Sequence, residues 1–197
     1  YKSVDYLVKE IAYYQKKFDV HHFHFIDELV VISKKRTLEL CEKLKPLNII
    51  WDAQGRVNLV DRETLSAMKD AGCVCVGFGV ESGSRKILEN MNKQITPEQI
   101  KDALTICREI HLASKIQLIF GYPGEDNNTL EETIQLFKEV RYPARRLGII
   151  TPLPGSPLYE TAKADGFLGD GPDAVISEEA FHHWLSEVSP FCNQQLF

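Results

Sequence analysis

Hydrophobic residues recur along the chain with two different spacings. At the start they fall three or four positions apart, which predicts one apolar face of a helix, at Val4, Leu7, Val8, Ile11 and Ala12. Short apolar or β-branched runs, each followed by a helical stripe, predict strands at 20–26, 48–51, 73–80, 115–120 and 146–151. The run at 73–80 is apolar throughout, as expected for a parallel strand covered on both faces.

Capping residues mark several of the predicted helix boundaries. Asp61 is expected to cap a helix carrying Leu65 and Met68. Gly72 suits the left-handed position that commonly ends a helix. Two segments, 96–99 and 129–132, have the pattern of a capping box that starts a helix.

The alternation of strands with helices predicts an α/β fold built from successive βαβ units and a parallel sheet. About five strands are expected in the 197 residues. A closed eight-stranded barrel usually takes about 250 residues, so the chain is too short for one. An open arc of barrel type and a doubly wound sheet remain as alternatives.

Composition excludes several classes of protein. The chain is 44% apolar with a formal net charge of −5 and has no basic stripe, which argues against nucleic-acid binding. It has no apolar run of the roughly 20 residues that a membrane helix needs and no signal-peptide pattern. Five scattered cysteines do not form a disulfide framework, so a cytoplasmic, reduced setting is expected. The sequence opens at Tyr1 without an initiator Met and is expected to be part of something longer.

Polar residues and glycines follow each predicted strand, where α/β proteins bind ligands. These strand ends are 27–28, 52–56, 79–84, 121–125 and 151–155. Glu81 and Arg56 come directly after buried runs and predict a polar ligand with both signs of charge, because carboxylates suit an ammonium or ribose hydroxyls and arginine suits a carboxylate. The simpler alternative for any one of these loops is an ordinary turn with a helix cap.

A series of motifs runs in order from about residue 4 to residue 166. They are Phe25-Ile-Asp-Glu28 with Lys35-Arg36, Trp51 with Arg56-Val57, Asp70-Ala-Gly-Cys73, Gly79-Val-Glu-Ser-Gly83, Met91-Asn-Lys93, Phe120-Gly-Tyr-Pro-Gly-Glu125 and Thr151-Pro-Leu-Pro-Gly-Ser-Pro-Leu-Tyr159. Together they resemble radical S-adenosylmethionine (SAM) enzymes, and in particular the large group that often carries an upstream cobalamin-binding domain. The resemblance implies an open, partial TIM-type (β/α)6 barrel over 1–166, with about five of the six strands present and SAM lying across its top. Residues 167–197 are expected to form a loop and one helix that start a following segment.

The resemblance also implies which residues bind SAM. Asp27 and Glu28 fall where the family receives the methionine ammonium, and Arg56 falls where a base holds the methionine carboxylate. Glu81 and Ser82 fall at the ribose-binding strand end. The adenine is expected to be flanked by Ile119, Gly121, Thr151 and Pro152. No catalytic side chain and no metal ligand are assigned within the sequence itself.

The chain lacks one element of the family's pattern. The Cys-x3-Cys-x2-Cys loop, which supplies three thiolates to a four-iron, four-sulfur cluster, is expected just upstream of Tyr1. With that cluster, the family cleaves SAM reductively to a 5′-deoxyadenosyl radical or carries out radical methylation. The chain by itself is therefore expected to be inactive, with cobalamin as a further cofactor in an accessory domain and an unidentified small-molecule substrate.

Two other functions stay open. A degenerate barrel that keeps the nucleoside pocket would act as a non-catalytic binding or scaffold module. A barrel-type hydrolase or aldolase would use Glu81 and Asp27 as general acid and base. Asp27 as a helix cap and Glu81 as a structural ion-pair partner are the corresponding structural alternatives.

Three further expectations concern cysteines, histidines and the sheet edge. Cys73 and Cys75 lie two apart in a predicted strand and should share one face, without the spacing for a cluster. His22 and His24 also share a face, and one hypothesis for His24 is a metal or proton-transfer role. If strand 20–26 is a sheet edge that exposes Phe23 and Phe25, self-association through that edge is expected.

Overall fold

The computed structural model describes residues 2–26, 30–142 and 146–164. The helices are α1 (Val4–Phe18), α2 (Lys34–Leu44), α3 (Arg62–Asp70), α4 (Arg85–Asn90), α5 (Pro97–Glu109), α6 (Asn127–Val140) and α7 (Pro157–Ala164). The strands are β1 (His22–His24), β2 (Ile50–Gly55), β3 (Cys73–Glu81), β4 (Ala113–Phe120) and β5 (Arg146–Ile149). The segment expected at 167–197 lies outside the described residues. Across the described ranges, every helix is too short or too polar to cross a membrane.

The five strands form one sheet in the order β1-β2-β3-β4-β5. His24 of β1 lies opposite Asp52 of β2, and Ala53 of β2 lies opposite Val76 of β3, both in parallel register. A doubly wound sheet reverses its strand order at a switch point, whereas this order follows the sequence. The predicted α/β fold, an open partial barrel of about five parallel strands, is confirmed.

The chain divides into two compact units. Unit one contains 1–80, 95–117 and 136–146, and unit two contains 81–94, 118–135 and 147–197. Strands β3, β4 and β5 begin in unit one and end in unit two, so the amino-terminal parts of these strands belong to the first unit and their carboxyl ends to the second.

The core of unit one lies between one face of the sheet and the helices. Trp51 and Phe78 are fully buried there, and the indole Nε1 of Trp51 donates a hydrogen bond to the Ala71 carbonyl at 2.8 Å. The Phe25 ring meets the indole edge-on, with 5.4 Å between ring centroids. Phe25 is only 7% exposed, so the prediction that it lies exposed on an edge strand is wrong. It follows β1 and packs inward.

Helix starts follow the predicted caps with one exception. The Asp61 carboxylate accepts a hydrogen bond from the Thr64 backbone N–H at 2.8 Å, and its hydrogen bond from Lys34, followed by that from Thr64, lowers its pKa to about 2. The capping box at Thr96 is confirmed. The cap predicted at Thr129 is wrong, because Asp126 accepts the hydrogen bond from the Thr129 N–H at 2.9 Å and α6 already begins at Asn127.

Candidate functional site

Six of the nine predicted SAM contacts belong to unit two: Glu81, Ser82, Ile119, Gly121, Thr151 and Pro152. They follow or end strands β3, β4 and β5, which are neighbours in the sheet. Carboxyl ends of neighbouring parallel strands share one edge, where α/β proteins bind ligands. Arg56 belongs to unit one, where it directly follows β2, and Asp27 and Glu28 lie outside the described residues.

The last residue of β3 carries the most distinctive local geometry. Glu81 has a positive φ of 67°, a conformation that is costly for a residue with a side chain and that often marks functional sites. Its carboxylate Oε1 lies 2.8 Å from Lys93 Nζ, and its side chain is 13% exposed. Glu81 therefore does form an ion pair, as the structural alternative for this residue predicted. An ion pair still leaves carboxylate lone pairs that can accept hydroxyl hydrogen bonds.

The loop after β3 is held by buried hydroxyls. Ser82 is 2% exposed and its Oγ lies 3.2 Å from Thr133 Oγ1 on α6. Thr133 Oγ1 also accepts a hydrogen bond from the Gly83 N–H at 3.0 Å, and Ser82 Oγ accepts one from the Ser84 N–H at 3.1 Å. The Ser82 hydroxyl therefore shapes the strand end, and its contact with a ribose stays a prediction. Sequence reasoning missed Thr133, because nothing in a helical threonine shows which loop it will meet.

Ser84 leaves a polar atom unused. Its side chain is fully buried, and among the described residues its Oγ has no hydrogen-bond partner. Buried hydroxyls normally find a partner, so an orphaned one beside a candidate ligand site is consistent with a polar ligand.

A buried carboxylate orders the loop after β4. Gly121 adopts φ 85° and donates a backbone hydrogen bond to Glu125 Oε2 at 2.7 Å. Glu125 is 3% exposed, and this burial raises its pKa despite the opposing hydrogen bond from Gly121. Gly124 has φ 90°, a left-handed conformation that a residue with a side chain adopts only with strain. Glu125 is thus a positioning residue that holds the loop after β4. The sequence motif contains it, but the motif alone did not show this role.

The segment after β5 completes this edge. The Ile150 N–H donates to the Phe120 carbonyl at 2.8 Å, which aligns the chain just before Thr151 with the end of β4. Thr151 is exposed and Pro152 is buried. Apart from the Thr151 hydroxyl, this segment presents backbone and apolar surface, which suits packing against the flat face of a nucleobase. Their contact with adenine stays a prediction.

Unit one contains a polar cluster that sequence reasoning saw only in part. Asp52 Oδ1 lies 2.5 Å from His24 Nδ1, and Asp52 Oδ2 lies 3.3 Å from His22 Nε2. Lys115 Nζ lies 3.7 Å from Asp52 Oδ1. Burial alone would raise the pKa of Asp52, but the hydrogen bonds with His24 and His22 lower it. In the part of the chain that the structure describes, no three histidine, cysteine or acidic side chains are arranged to hold a metal ion.

The described cysteines do not fit an iron–sulfur cluster. Burial raises the pKa of the Cys41 thiol to about 12 and also raises the pKa values of Cys73 and Cys107, whereas cluster ligands are thiolates. The prediction that Cys73 and Cys75 share a face is wrong. A register shift sets Cys73 opposite Trp51 and Cys75 opposite Asp52, and these successive β2 residues face opposite sides.

The sequence and the fold both match known proteins. The pattern of the Radical SAM superfamily matches residues 1–137. An uncharacterized methyltransferase of Pyrococcus horikoshii is 33% identical over 168 residues, which is 84% of this chain and 37% of that protein. The anaerobic magnesium-protoporphyrin IX monomethyl ester cyclase of Rubrivivax gelatinosus is 31% identical over 158 residues, 78% of this chain and 28% of that protein.

Several solved structures have a similar fold. The radical S-adenosylmethionine methyltransferase TsrM from Kitasatospora setae, with cobalamin and a [4Fe-4S] cluster bound, superposes with a TM-score of 0.74 and 17% identity over 87% of this chain and 33% of that one. The chain thus spans only 37% of the Pyrococcus protein and 28% of the Rubrivivax protein. Members of the matching family are enzymes that use SAM and a [4Fe-4S] cluster, which leaves the hydrolase and aldolase alternative without support. The chain belongs to the radical SAM superfamily.

Proposed function

We propose that the carboxyl ends of β3, β4 and β5 bind S-adenosylmethionine. The observation that carries this proposal is the end of β3, where Glu81 holds a carboxylate at a positive φ on the same unit as the ends of β4 and β5. In this proposal Glu81 accepts hydrogen bonds from the ribose hydroxyls. Ser82 holds the strand end in place through Thr133.

The remaining contacts divide between the base and the amino acid. Gly121 has no side chain to obstruct the approach of a flat base, and Ile119 is partly exposed beside it. The segment at Thr151 and Pro152 would cover the other side of the adenine. For the methionine part, the roles of Arg56 at the carboxylate and of Asp27 and Glu28 at the ammonium stay predictions from the sequence.

When bound, SAM supplies a sulfonium group that is cleaved reductively or gives up its methyl group. The residues of this chain orient the molecule and exclude water, as proteins do for reactive cofactors. The described cysteines do not hold a cluster, so we assign the cluster ligands to a Cys-x3-Cys-x2-Cys segment outside this sequence. Residues 1–197 alone are then expected to bind the nucleoside without cleaving it.

Methyl transfer is the reaction we favour for the whole protein. Its support is the name of the Pyrococcus relative and the methyltransferase activity named for TsrM. TsrM also binds cobalamin, and we extend that cofactor to an accessory domain here. A cytoplasmic location is part of the same proposal, because that compartment keeps cysteine thiols reduced and therefore able to serve as ligands.

Calorimetric titration of S-adenosylhomocysteine tests the nucleoside site. Glu81→Gln should weaken binding at least tenfold, because it replaces charge-assisted hydrogen bonds to two hydroxyls. Glu89→Gln, which changes an exposed carboxylate on α4 of the same unit, should leave binding unchanged. If the nucleoside binds the Glu81→Gln protein as tightly as the wild type, Glu81 is only a partner of Lys93 and the proposal fails.

A second candidate, a nucleoside-binding module without catalysis, is favoured by the cysteines described above. Anaerobic reconstitution of the full-length protein separates the two functions. About four irons per chain together with reductive cleavage of SAM would support the enzyme. Nucleoside binding without iron would support the module.

We also propose self-association through β1. It is the first strand of the sheet, and neighbouring Ile26 is 84% exposed; free strand edges pair readily with other chains. Light scattering of the 197-residue chain should then show dimers whose fraction rises with concentration. A strictly monomeric result at high concentration would contradict this.

A further inference from the structure

Unit one holds a cavity on the sheet face that the helices do not cover. Its volume is about 380 Å³, and it is lined by His24, Gln54, Gly77, Lys115, Gln117 and Arg146. Inward positions of closed barrels are filled by bulky branched side chains. Here those positions carry polar or basic side chains and one glycine, so the space is open and polar.

The charges around this cavity do not cancel. Lys115 lies 3.7 Å from Asp52, whose carboxylate is also contacted by His22 and His24. Among the described residues, Arg146 has no ion pair with an acidic side chain, and it is exposed at the start of β5. One carboxylate therefore stands against two permanent cations, which leaves about one unit of positive charge at the cavity.

The shape of the cavity depends on Gly77. A Cβ at this position would lie 2.3 Å from Gln54 Oε1 and 2.7 Å from Gln54 Cδ. The Gln54 amide therefore lies directly over the glycine. Together with Gln117 it lines the wall with neutral donors and acceptors that can recognise an uncharged polar part of a ligand.

We propose that this cavity is a binding site for a small molecule with a carboxylate group. The guanidinium of Arg146 matches a carboxylate with two parallel hydrogen bonds, and Lys115 adds a second, point-like cation. A carboxylate suits the single excess charge better than a phosphate dianion does. The volume corresponds to about a dozen water molecules at roughly 30 Å³ each, so the site holds a small acid or one end of a larger one.

We assign this ligand as the substrate of the proposed enzyme. That assignment rests on the proposed function, whereas the binding itself does not. All six lining residues belong to unit one, and the residues tested for nucleoside binding belong to unit two. The two sites can therefore fail independently in experiment.

Benzoate and benzamide form a matched pair of probes that differ in charge and hardly in shape. In titrations followed by protein NMR, the wild-type chain should bind benzoate at least fivefold more tightly than benzamide. Arg146→Gln should remove this preference, and Arg146→Lys should keep part of it. Lys9→Gln, a change of the same charge on an exposed position of α1 outside the lining of this cavity, should leave the preference intact.

Two results would overturn the proposal. One is equal affinity of the wild type for both probes, and the other is an unchanged benzoate preference in Arg146→Gln. Inorganic phosphate that binds more tightly than benzoate would overturn the carboxylate assignment.

A variant that fills the cavity tests its location. Gly77→Leu should abolish the binding of both probes, and the milder Gly77→Ala, which displaces only the Gln54 side chain, should weaken it. Circular dichroism shows whether each variant folds, and S-adenosylhomocysteine titration of the same samples shows whether unit two is intact. Retained benzoate binding in a folded Gly77→Leu protein would overturn the site, whereas loss of nucleoside binding alone in Glu81→Gln leaves it standing.

Discussion

The two faces of the sheet in unit one differ in chemistry although they are built from the same strands. One face carries Trp51, Val76, Phe78 and Ile116, all fully buried. The other carries His24, Gln54, Lys115 and Gln117 around an open cavity. Successive residues of a strand point to opposite faces, so each strand supplies both an apolar core and a polar wall.

This difference means that one face of the sheet stabilises the fold and the other is available for ligand recognition. The buried face gains free energy from the removal of apolar surface from water and tolerates little change in volume. The polar face gains little from packing, and its side chains stay available to a ligand. We therefore expect substitutions on the first face to unfold the protein, and substitutions on the second face to alter binding.

The largest effect is expected for Trp51→Ala. Loss of a fully buried indole leaves a large cavity and an unpaired Ala71 carbonyl, and such changes typically cost about 3–5 kcal/mol. Urea denaturation followed by circular dichroism measures the loss. A cost under about 1 kcal/mol would show that the helix-covered face is not the core.

Substitutions at two glycines test the difference between a backbone neighbour, which cannot move, and a side-chain neighbour, which can. Gly72 has φ 90°, and a Cβ there would lie 2.0 Å from the Ile49 carbonyl oxygen, which is backbone and cannot move aside. Gly72→Ala should therefore cost about 2 kcal/mol or more, whereas Gly77→Ala meets only the movable Gln54 side chain and should cost less than about 1 kcal/mol. Equal costs in thermal or urea unfolding would contradict the contrast between backbone and side-chain neighbours.

The Asp52 cluster should make stability depend on pH. The pKa of Asp52 is lowered in the folded chain, so its charge stabilises the fold above the ordinary value of about 3.9 and this contribution is lost as pH falls through the lowered value. Asp52→Asn should cost about 1 kcal/mol at pH 7 and less at pH 3. Asp19→Asn, at a 98% exposed side chain, serves as the control. A cost that stays the same at both pH values would show that the carboxylate's charge contributes nothing.

The smallest effect is expected at Gln117. Gln117→Ala should change the free energy of unfolding by less than about 0.5 kcal/mol, while Ile116→Val, at the adjacent buried position of β4, should cost about 0.5–1.5 kcal/mol. The comparison is made in the same urea series. If Gln117→Ala costs more than Ile116→Val, the polar face is structural.

Local patterns predicted the elements that short-range physics controls. The apolar run at 73–80 became β3, and the capping box at Thr96 formed as expected. The failed prediction at Thr129 has the same local origin, because Asp126 three residues earlier offers a better acceptor to the first free N–H groups of α6. Motif order pointed to the family and therefore to the strand ends that form the candidate site.

Contacts between distant segments needed the fold. The pairing of His24 with Asp52 joins residues 28 apart, and that of Ser82 with Thr133 joins residues 51 apart. The register shift between β2 and β3 separated Cys73 from Cys75, although their spacing alone placed them on one face. None of these depends on the nearest neighbours in sequence.

The sequence by itself determined the alternation of strands and helices, the caps and the family, because apolar periodicity and turn chemistry act within a few residues. Only the tertiary structure decided the strand order, the bulge in register, the buried support of the loops by Glu125 and Thr133, and the excess positive charge at the cavity of unit one. The reason is that burial, strand pairing and local net charge depend on which side chains from distant parts of the sequence the fold brings together.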